Sequence, residues 1–313
     1  MFSKSILGLT VVILVGFLFF FFIGESQDYK DINVSAIVTN QNSEPQEESF
    51  PDQIENFSTQ EFDKNYHLSR LIEADSYINY QDKPGLMKNP KVTSFGETSD
   101  IVDYVIKAEE GLYLDSGDFL FTGSVNVQSR TGNKHIMKSN SILYKKGSEE
   151  IISRDKVTYF GQNDVMVSDG MHMSLRSDTI EMLGKIEIKR DAGGEILSKD
   201  VTIDKTKNKN IYSSKEPTNY ISKNDSVESE GFQYIENDGT LTLHGNSRIT
   251  QNNGAIIDST NLVVNSSSNQ ERYKTDDYIF YQSQISKIKS KGMDYDAKSQ
   301  KVELFNGVEG VYE

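Results

Sequence analysis

The 313-residue chain contains no cysteine and no tryptophan, and only five prolines and four histidines. Without cysteine there is no disulfide framework, no thiolate metal site and no lipid-modified N-terminal cysteine. The four histidines, at positions 67, 135, 172 and 244, have no second histidine or carboxylate at a metal-ligand spacing. We therefore expect surface or structural roles for them, and we expect no metal and no cofactor.

Basic residues are also too few for a nucleic-acid-binding protein. The chain has 33 Lys and Arg against 47 Asp and Glu, a net charge of −14, whereas phosphate binding needs a basic face. The acidic excess is concentrated in residues 25–63, which hold ten acids and one base, Lys30. The remainder of the chain is only mildly acidic, so the excess belongs to a short segment and we expect no nucleic acid as a partner.

One long apolar run is present, Ile6 to Ile23, eighteen residues without a charge. At 1.5 Å per residue it spans about 27 Å, enough for a bilayer core, which predicts a transmembrane anchor over residues 5–23. A cleavable signal peptide is the alternative, but its apolar region is shorter and ends in a small-x-small site, which GESQD does not match.

The charges around the apolar run predict its orientation. Lys4 places residues 1–4 in the cytoplasm and the residues after the anchor outside. Residues 24–51, acidic and without periodicity, predict a flexible linker.

Two glycine-containing phrases repeat along the chain at one nearly constant interval. The first set is Gly123, Gly184, Gly245 and Gly307, each within a β-like phrase such as FLFTGSVNV or TLTLHGNSRIT. The second set, Gly111, Gly170, Gly231 and Gly292, keeps the same interval. A fixed period of this kind indicates stacked units, here of about 60 residues each, that share one apolar interior.

Strict alternation of apolar and polar residues marks half-buried strands within each unit. In Thr179–Ile188, for example, Ile180, Met182, Ile186 and Ile188 alternate with polar residues, and Gly184 falls on the apolar face. Such a glycine either lets the strand bend or leaves room beneath it. About four short strands per unit and no helical period after residue 30 predict an all-β sandwich, jelly roll or solenoid.

Several phrases, in order along residues 52–190, resemble the LptC family of inner-membrane-anchored periplasmic lipopolysaccharide export proteins. They are EADSYINY (73–80), NPKVTSF (89–95), VIKAEEGLYL (105–114), LFTGSV (120–125) and the run from SNSILYKK to GKIEI (139–188). Residues 191–313 are similar to the related LptA/OstA-type repeat, as in GTLTLHGNSRITQNNGAIIDSTNLVV (239–264). The order of these phrases after one N-terminal anchor is more specific than any of them alone.

The resemblance implies an elongated β-jelly roll, open along one edge, whose interior holds lipid acyl chains. It implies a single-pass inner-membrane protein with its C-terminal domain in the periplasm, with two protein partners. One partner is an inner-membrane ABC transporter of the LptBFG type, and the other is an LptA-like bridge protein joined by edge-strand pairing. Glu303 to Tyr312 is the candidate outer joint, and the residues after Ile54 are the candidate for the membrane-proximal one.

The sequence thus predicts a non-enzymatic scaffold that holds lipopolysaccharide in an apolar trough. Two alternatives remain open: a tethered adhesion or assembly module with a closed core, and an enzyme acting on surface polysaccharide. The residues predicted to line the trough are Ile78, Val92, Phe95, Leu112, Leu114, Phe119, Phe121, Val125, Val127, Ile180, Met182, Ile186, Ile188, Leu241, Leu243, Ile249, Leu262, Val264, Val302 and Leu304.

Overall fold

The computed structural model describes residues 52–96, 101–130, 135–175, 177, 179–205, 210–267 and 270–312. Within these residues the fold is all-β, as predicted, and no helix is long and apolar enough to cross a membrane. The predicted anchor and linker, residues 5–51, lie outside the described residues. The strands are β1 Asp52–Phe62, β2 Leu68–Asn79, β3 Gly85–Lys88, β4 Lys91–Phe95, β5 Val102–Lys107, β6 Glu110–Tyr113, β7 Phe119–Ser129, β8 Ile136–Lys145, β9 Glu150–Ser153, β10 Val157–Phe160, β11 Asp164–Ser168, β12 Gly170–Ser174, β13 Thr179–Arg190, β14 Glu195–Asp204, β15 Ile211–Ser214, β16 Thr218–Ile221, β17 Asp225–Ile235, β18 Thr240–Gln251, β19 Ile256–Ser267, β20 Gln270–Gln282, β21 Ser286–Asp296, β22 Lys301–Leu304 and β23 Glu309–Tyr312.

All 23 strands belong to one antiparallel meander. Eleven strands are long, and twelve are half-length strands that come in consecutive pairs, such as β15 and β16. Both members of a pair bond to the same neighbouring rung at opposite ends: β15 pairs with the C-terminal end of β14, and β16 with its N-terminal end. The neighbouring rung is a long strand or, as for β3 and β4 beside β5 and β6, another half-length pair. Each long strand, and each half-length pair, therefore forms one rung of the sheet.

From β7 onward, the pairings between long strands carry a β-bulge near their middle, and the sheet bends there. In β13, Leu183 and Gly184 lie opposite the single residue Asp200, and the backbone φ of Gly184 is +75°. A bulge of this kind needs a left-handed residue, which glycine adopts without steric cost. A Cβ on Gly184 would lie 2.7 Å from the exposed carboxylate of Asp169. The repeated glycine bends the strand, and the space it frees is outside the sheet rather than in the interior.

The second glycine set lies across the same bend. Gly231 is paired with His244, next to Gly245, and a Cβ on Gly231 would meet the carbonyl oxygen of Ser214 at 2.6 Å. At this position glycine permits a neighbouring strand to approach closely. The two repeated phrases therefore mark the two sides of one bend, which explains their common period.

The bend divides the meander into two half-sheets. Half-sheet A contains β9, β12, β15 and the half of β13 before its bulge, and half-sheet B contains β10, β11, β16 and the half after it. Alternate side chains of both halves form one buried apolar cluster that extends from Ile72 to Ala297. The sheet is also continuous across residues 190 and 191, the boundary suggested by the family resemblance, because β13 and β14 pair along their length.

The two half-sheets meet again along a seam, which we define as the line where the hairpin turns at their outer ends approach each other. Across this seam, β11 contacts β17, and β17 contacts β21. In both cases the partner lies four rungs further along the meander, and the residues in contact are slightly more than one repeat apart in sequence. The offset of four rungs between the half-sheets therefore corresponds to about one repeat of the sequence.

Candidate functional site

The interior is lined by most of the residues that alternation pointed to. The following are buried members of the core: Val92, Phe119, Phe121, Val125, Val127, Ile180, Met182, Ile186, Ile188, Leu241, Leu243, Ile249, Leu262 and Val264. Val302 and Leu304 are partly exposed and pack against it. These residues form a continuous apolar strip, and their binding of a lipid stays a prediction.

Four of the expected positions lie elsewhere. Ile78 and Leu112 both pair with Leu86, whose neighbour Met87 faces inward, so these two side chains lie on the outer face of half-sheet A. The prediction that they face inward is wrong. Leu112 lies in a strand of four residues, which carries too little alternation to define its face, and Ile78 follows Tyr77 in β2, so that two adjacent apolar residues leave the face ambiguous. Phe95 follows a register shift at the end of β4, and Leu114 lies just beyond β6, both half-buried.

The inner faces of the two half-sheets touch each other through tyrosines. The ring of Tyr159 in half-sheet B meets that of Tyr212 in half-sheet A edge-on, with 6.4 Å between centroids. Tyr212 in turn contacts Tyr234 at 5.5 Å, and all three are at most 2% exposed. The interior is packed here, so a guest molecule enters only if the half-sheets separate.

A first polar cluster, the first latch, closes the seam near the middle of the sheet. It consists of Asp164, Arg190, Tyr234 and Glu236, of which the three charged residues are 2–5% exposed. Arg190 stands over the Tyr234 ring, 4.6 Å from its centroid, and its Nη2 donates to the carbonyl oxygen of Gly239 at 2.9 Å. The latch therefore joins the outer end of half-sheet B to that of half-sheet A.

Glu236 adds a second link to this latch. Its Oε1 accepts hydrogen bonds from the backbone N–H groups of Gln162 at 2.6 Å and Asn163 at 3.1 Å, both in the turn of half-sheet B. Asn210 donates to its other carboxylate oxygen. This buried carboxylate ties the opposing turns together, since the two backbone donors of half-sheet B would lose their partner on opening.

A second latch closes the seam one repeat further along. Tyr295 donates from its hydroxyl to both carboxylate oxygens of Asp225, at 3.0 and 3.1 Å. Tyr220 donates to Glu271, and the side-chain amide of Asn224 donates to the carbonyl oxygen of Ala297 at 3.1 Å. Each of these bonds again crosses from one half-sheet to the other.

Burial dominates the ionisation of both latch aspartates. It raises the pKa of the Asp164 carboxyl to about 7, against the opposing effects of the Tyr234 hydroxyl and the Arg190 guanidinium. Burial likewise raises the pKa of Asp225 to about 6, although the hydroxyl of Tyr295 stabilises its anion. Both groups therefore change charge near neutral pH.

The latches repeat with the period of the bends. Asp164 and Asp225 are one repeat apart in sequence, as are Tyr234 and Tyr295, and Tyr212 and Tyr273. Alternation singled out none of them, because the aspartates are polar and the two latch aspartates and Tyr234 and Tyr295 stand at or next to strand ends. The recurrence of aspartate and tyrosine at the glycine interval was the sequence signal that could have found them.

Two further groups of polar residues lie outside the latches. His172 lies on the outer face between Glu150 and Glu181, at 3.3 and 3.2 Å, in agreement with a structural role. The exposed lysines of β21, at positions 287, 289 and 291, are not on an edge strand, because β20 and β23 pair with β21 on both sides. They therefore lie on an interior strand of the sheet.

The two ends of the meander present free strand edges. Among the described strands, β1 pairs with β2 alone, and β22 and β23 pair with β21 alone. Both ends expose apolar side chains, with Ile54 48% exposed in β1, and Val311 65% and Tyr312 75% exposed in β23. Free edges with exposed apolar residues are suited to strand addition by another chain.

A comparison with known proteins agrees with this architecture. The family model described as lipopolysaccharide-assembly, LptC-related, matches residues 9–191 and 216–313. No curated protein matches the chain. The match leaves out residues 192–215, which contain β14 and β15, but it includes the latch residues Asp164, Arg190, Tyr234, Glu236, Asp225 and Tyr295 and both ends of the sheet. Since it extends over most of the chain, this protein belongs to the LptC family of lipopolysaccharide-assembly proteins.

Proposed function

We propose that the chain is a transport scaffold that holds the acyl chains of lipopolysaccharide between its half-sheets on their way through the periplasm. The observation that supports this role most directly is the single apolar cluster that continues from the first rungs to the last. Each CH₂ group removed from water contributes about 0.8 kcal/mol, so several acyl chains need an apolar surface of this length. The near-equivalence of successive units avoids a deep trap at any one rung.

The proposal extends to location and partners. An anchor over residues 5–23 would hold the sheet at the inner membrane, where an ABC transporter would load it near β1. The free edge of β22 and β23 would pair with a periplasmic bridge protein. The chain itself would perform no chemical step, and the energy for transport would come from the transporter.

Site-specific photocrosslinking tests where the lipid lies. A photoreactive amino acid at Leu243, whose side chain is fully buried, is expected to crosslink to lipopolysaccharide in cells. The matched control is Thr242, the next residue of β18, which faces outward. Crosslinks at Thr242 but not at Leu243, in a folded chain, would place the lipid outside and overturn the proposal.

Mass spectrometry of the purified full-length chain separates the remaining alternatives. A transport scaffold is expected to copurify with lipopolysaccharide or lipid A. A stable, lipid-free chain that also takes up no added lipopolysaccharide would have a sealed core. An adhesion module or a polysaccharide-acting enzyme would then be the better account.

A further inference from the structure

We propose that the two latches are a lateral gate: they hold the seam shut in the empty chain, and a lipid enters by separating the half-sheets there. This inference rests on the proposed function for the identity of the guest. The latches themselves follow from the described contacts alone. They bind the outer ends of the half-sheets, which lie opposite the covalently continuous bend.

The covalent connection of the sheet explains why opening would occur at this place. At the bend, backbone strands pass uninterrupted from one half-sheet to the other, as in β13 and β18. Across the seam, the contacts are side-chain bonds and ring contacts, such as Tyr295 to Asp225 and Arg190 over Tyr234. Separating the seam breaks a few hydrogen bonds and ring contacts, whereas separating the bend would require breaking the chain.

The composition of the latches is also unusual for a permanently closed core. Aspartate, glutamate and arginine are rarely buried unless they are paired, and hydrophobic residues of similar size generally stabilise a core at least as well. The latch carboxylates and the guanidinium would regain water when the seam opens, which lowers the cost of opening. Apolar residues in the same places would make opening more costly, because they would be exposed to water.

Spin labels on opposing turns measure the gate directly. The chain has no native cysteine, so the pair Gln162→Cys and Asn237→Cys can be labelled without background. Both residues are exposed, and they flank the bonds made by Glu236. In the full-length chain in lipid nanodiscs, the distance distribution between the labels is expected to lengthen when purified lipid A is added.

Removing one hydroxyl from each latch is expected to open the seam without lipid. In the double variant Tyr234→Phe and Tyr295→Phe, the open population should rise at least about tenfold, the change expected from losing the hydrogen bond of Tyr295 to the Asp225 carboxylate alone. The matched control is Tyr278→Phe, whose ring is 76% exposed and belongs to neither latch. An unchanged distance distribution in a folded double variant would contradict the proposal that the latches hold the seam shut.

A reversible crosslink across the seam tests the gate in a chain that keeps both latches. Joining Gln162→Cys to Asn237→Cys with a short, cleavable thiol crosslinker is expected to block lipid A uptake, and reduction should restore it. If lipid A uptake continues in the crosslinked chain, the proposed gate is wrong, and the proposed transport function is unaffected. The other outcome separates the two proposals. If the seam opens in the tyrosine variants but the chain takes up no lipid A, the gate stands and the proposed function is overturned.

Discussion

At the scale of single residues, the ionisation of the Asp164 carboxyl is expected to affect stability near neutral pH. Its pKa is about 7 in the folded chain against an ordinary value of 3.8, because burial and the nearby Glu236 and Asp191 disfavour the anion. Tyr234 and Arg190 favour the anion but do not outweigh burial. The protonated carboxyl therefore stabilises the folded state at low pH.

The raised pKa of Asp164 predicts a loss of stability as the pH rises. The stabilisation is complete below pH 4, where the unfolded chain is also protonated, and is lost as the pH rises through about 7. Between pH 5 and pH 8 the loss is roughly 2–3 kcal/mol, at about 1.4 kcal/mol per pH unit. Urea unfolding at several pH values is expected to show this slope, and the variant Asp164→Asn should lack this component of it.

The control for this prediction is Asp115→Asn, an exposed turn residue outside the latches. It is expected to keep the pH dependence of the parent chain. An Asp164→Asn variant with an unaltered slope would show that another group titrates in this range. The same protonation should keep the seam closed, so the open population at the gate is expected to grow from pH 5 to pH 8.

Gly184 illustrates how a single residue determines the path of the backbone. Its φ of +75° is unfavourable for a residue with a Cβ, and that Cβ would also press on Asp169. Gly184→Ala is expected to destabilise the folded chain by roughly 1–2 kcal/mol, measured by urea unfolding. Gly147→Ala is the matched control, because no atom lies within 4 Å of its added Cβ. Equal stability of the two variants would argue against backbone strain at the bend.

At the scale of elements, a bent strand combines two functions. Its two halves contribute inward side chains to opposing half-sheets, such as Ile180 before the bulge in β13 and Ile188 after it. Because the bulge adds one residue while the strand changes direction, both halves keep their apolar residues on the inner face. One strand therefore builds both walls of the interior, and no separate crossover is needed.

The terminal strand β23 is where we expect the outer partner to bind. Val311 and Tyr312 are exposed there, and the strand has one free edge among the described residues. The double variant Val311→Lys and Tyr312→Lys is expected to weaken pairing with a purified LptA-like bridge protein at least about tenfold, because like lysines on an edge oppose strand addition. Titration by fluorescence anisotropy would measure the affinity.

The matched variant for this edge is Lys298→Ala, in the exposed turn before β22. It is expected to bind the bridge protein as the parent chain does. Full affinity in the double lysine variant would move the joint to another surface. Neither variant is expected to change the free energy of unfolding by more than about 0.5 kcal/mol, since both sites are exposed.

At the scale of the whole molecule, the same buried apolar residues stabilise the fold and would bind the transported lipid. Leu243 is fully buried in β18, and Leu243→Asp would place a charge in the core without a partner. We expect the variant to lose roughly 3–5 kcal/mol of stability together with its bound lipid. Thr242→Asp, on the outer face of the same strand, should retain both. Native mass spectrometry and thermal unfolding on the same samples would separate loss of lipid from loss of fold.

The sequence by itself determined the fold class, the repeating unit and most of the interior. Alternation is a local property of strands, so it identified Phe121, Ile180 and Leu243 as inward-facing without knowledge of their neighbours. The glycine period likewise followed from the sequence, since each unit bends at the same position. The family resemblance was confirmed by the family comparison.

Only the tertiary structure decided the offset between the half-sheets, and with it the seam. The partners Asp225 and Tyr295 are 70 residues apart and meet because the half-sheets are offset by four rungs. The face of Leu112 was also decided by its pairing with Leu86, since a four-residue strand carries too little alternation. Local patterns specify which side of a strand is apolar, whereas the contacts between distant strands depend on how the whole sheet closes.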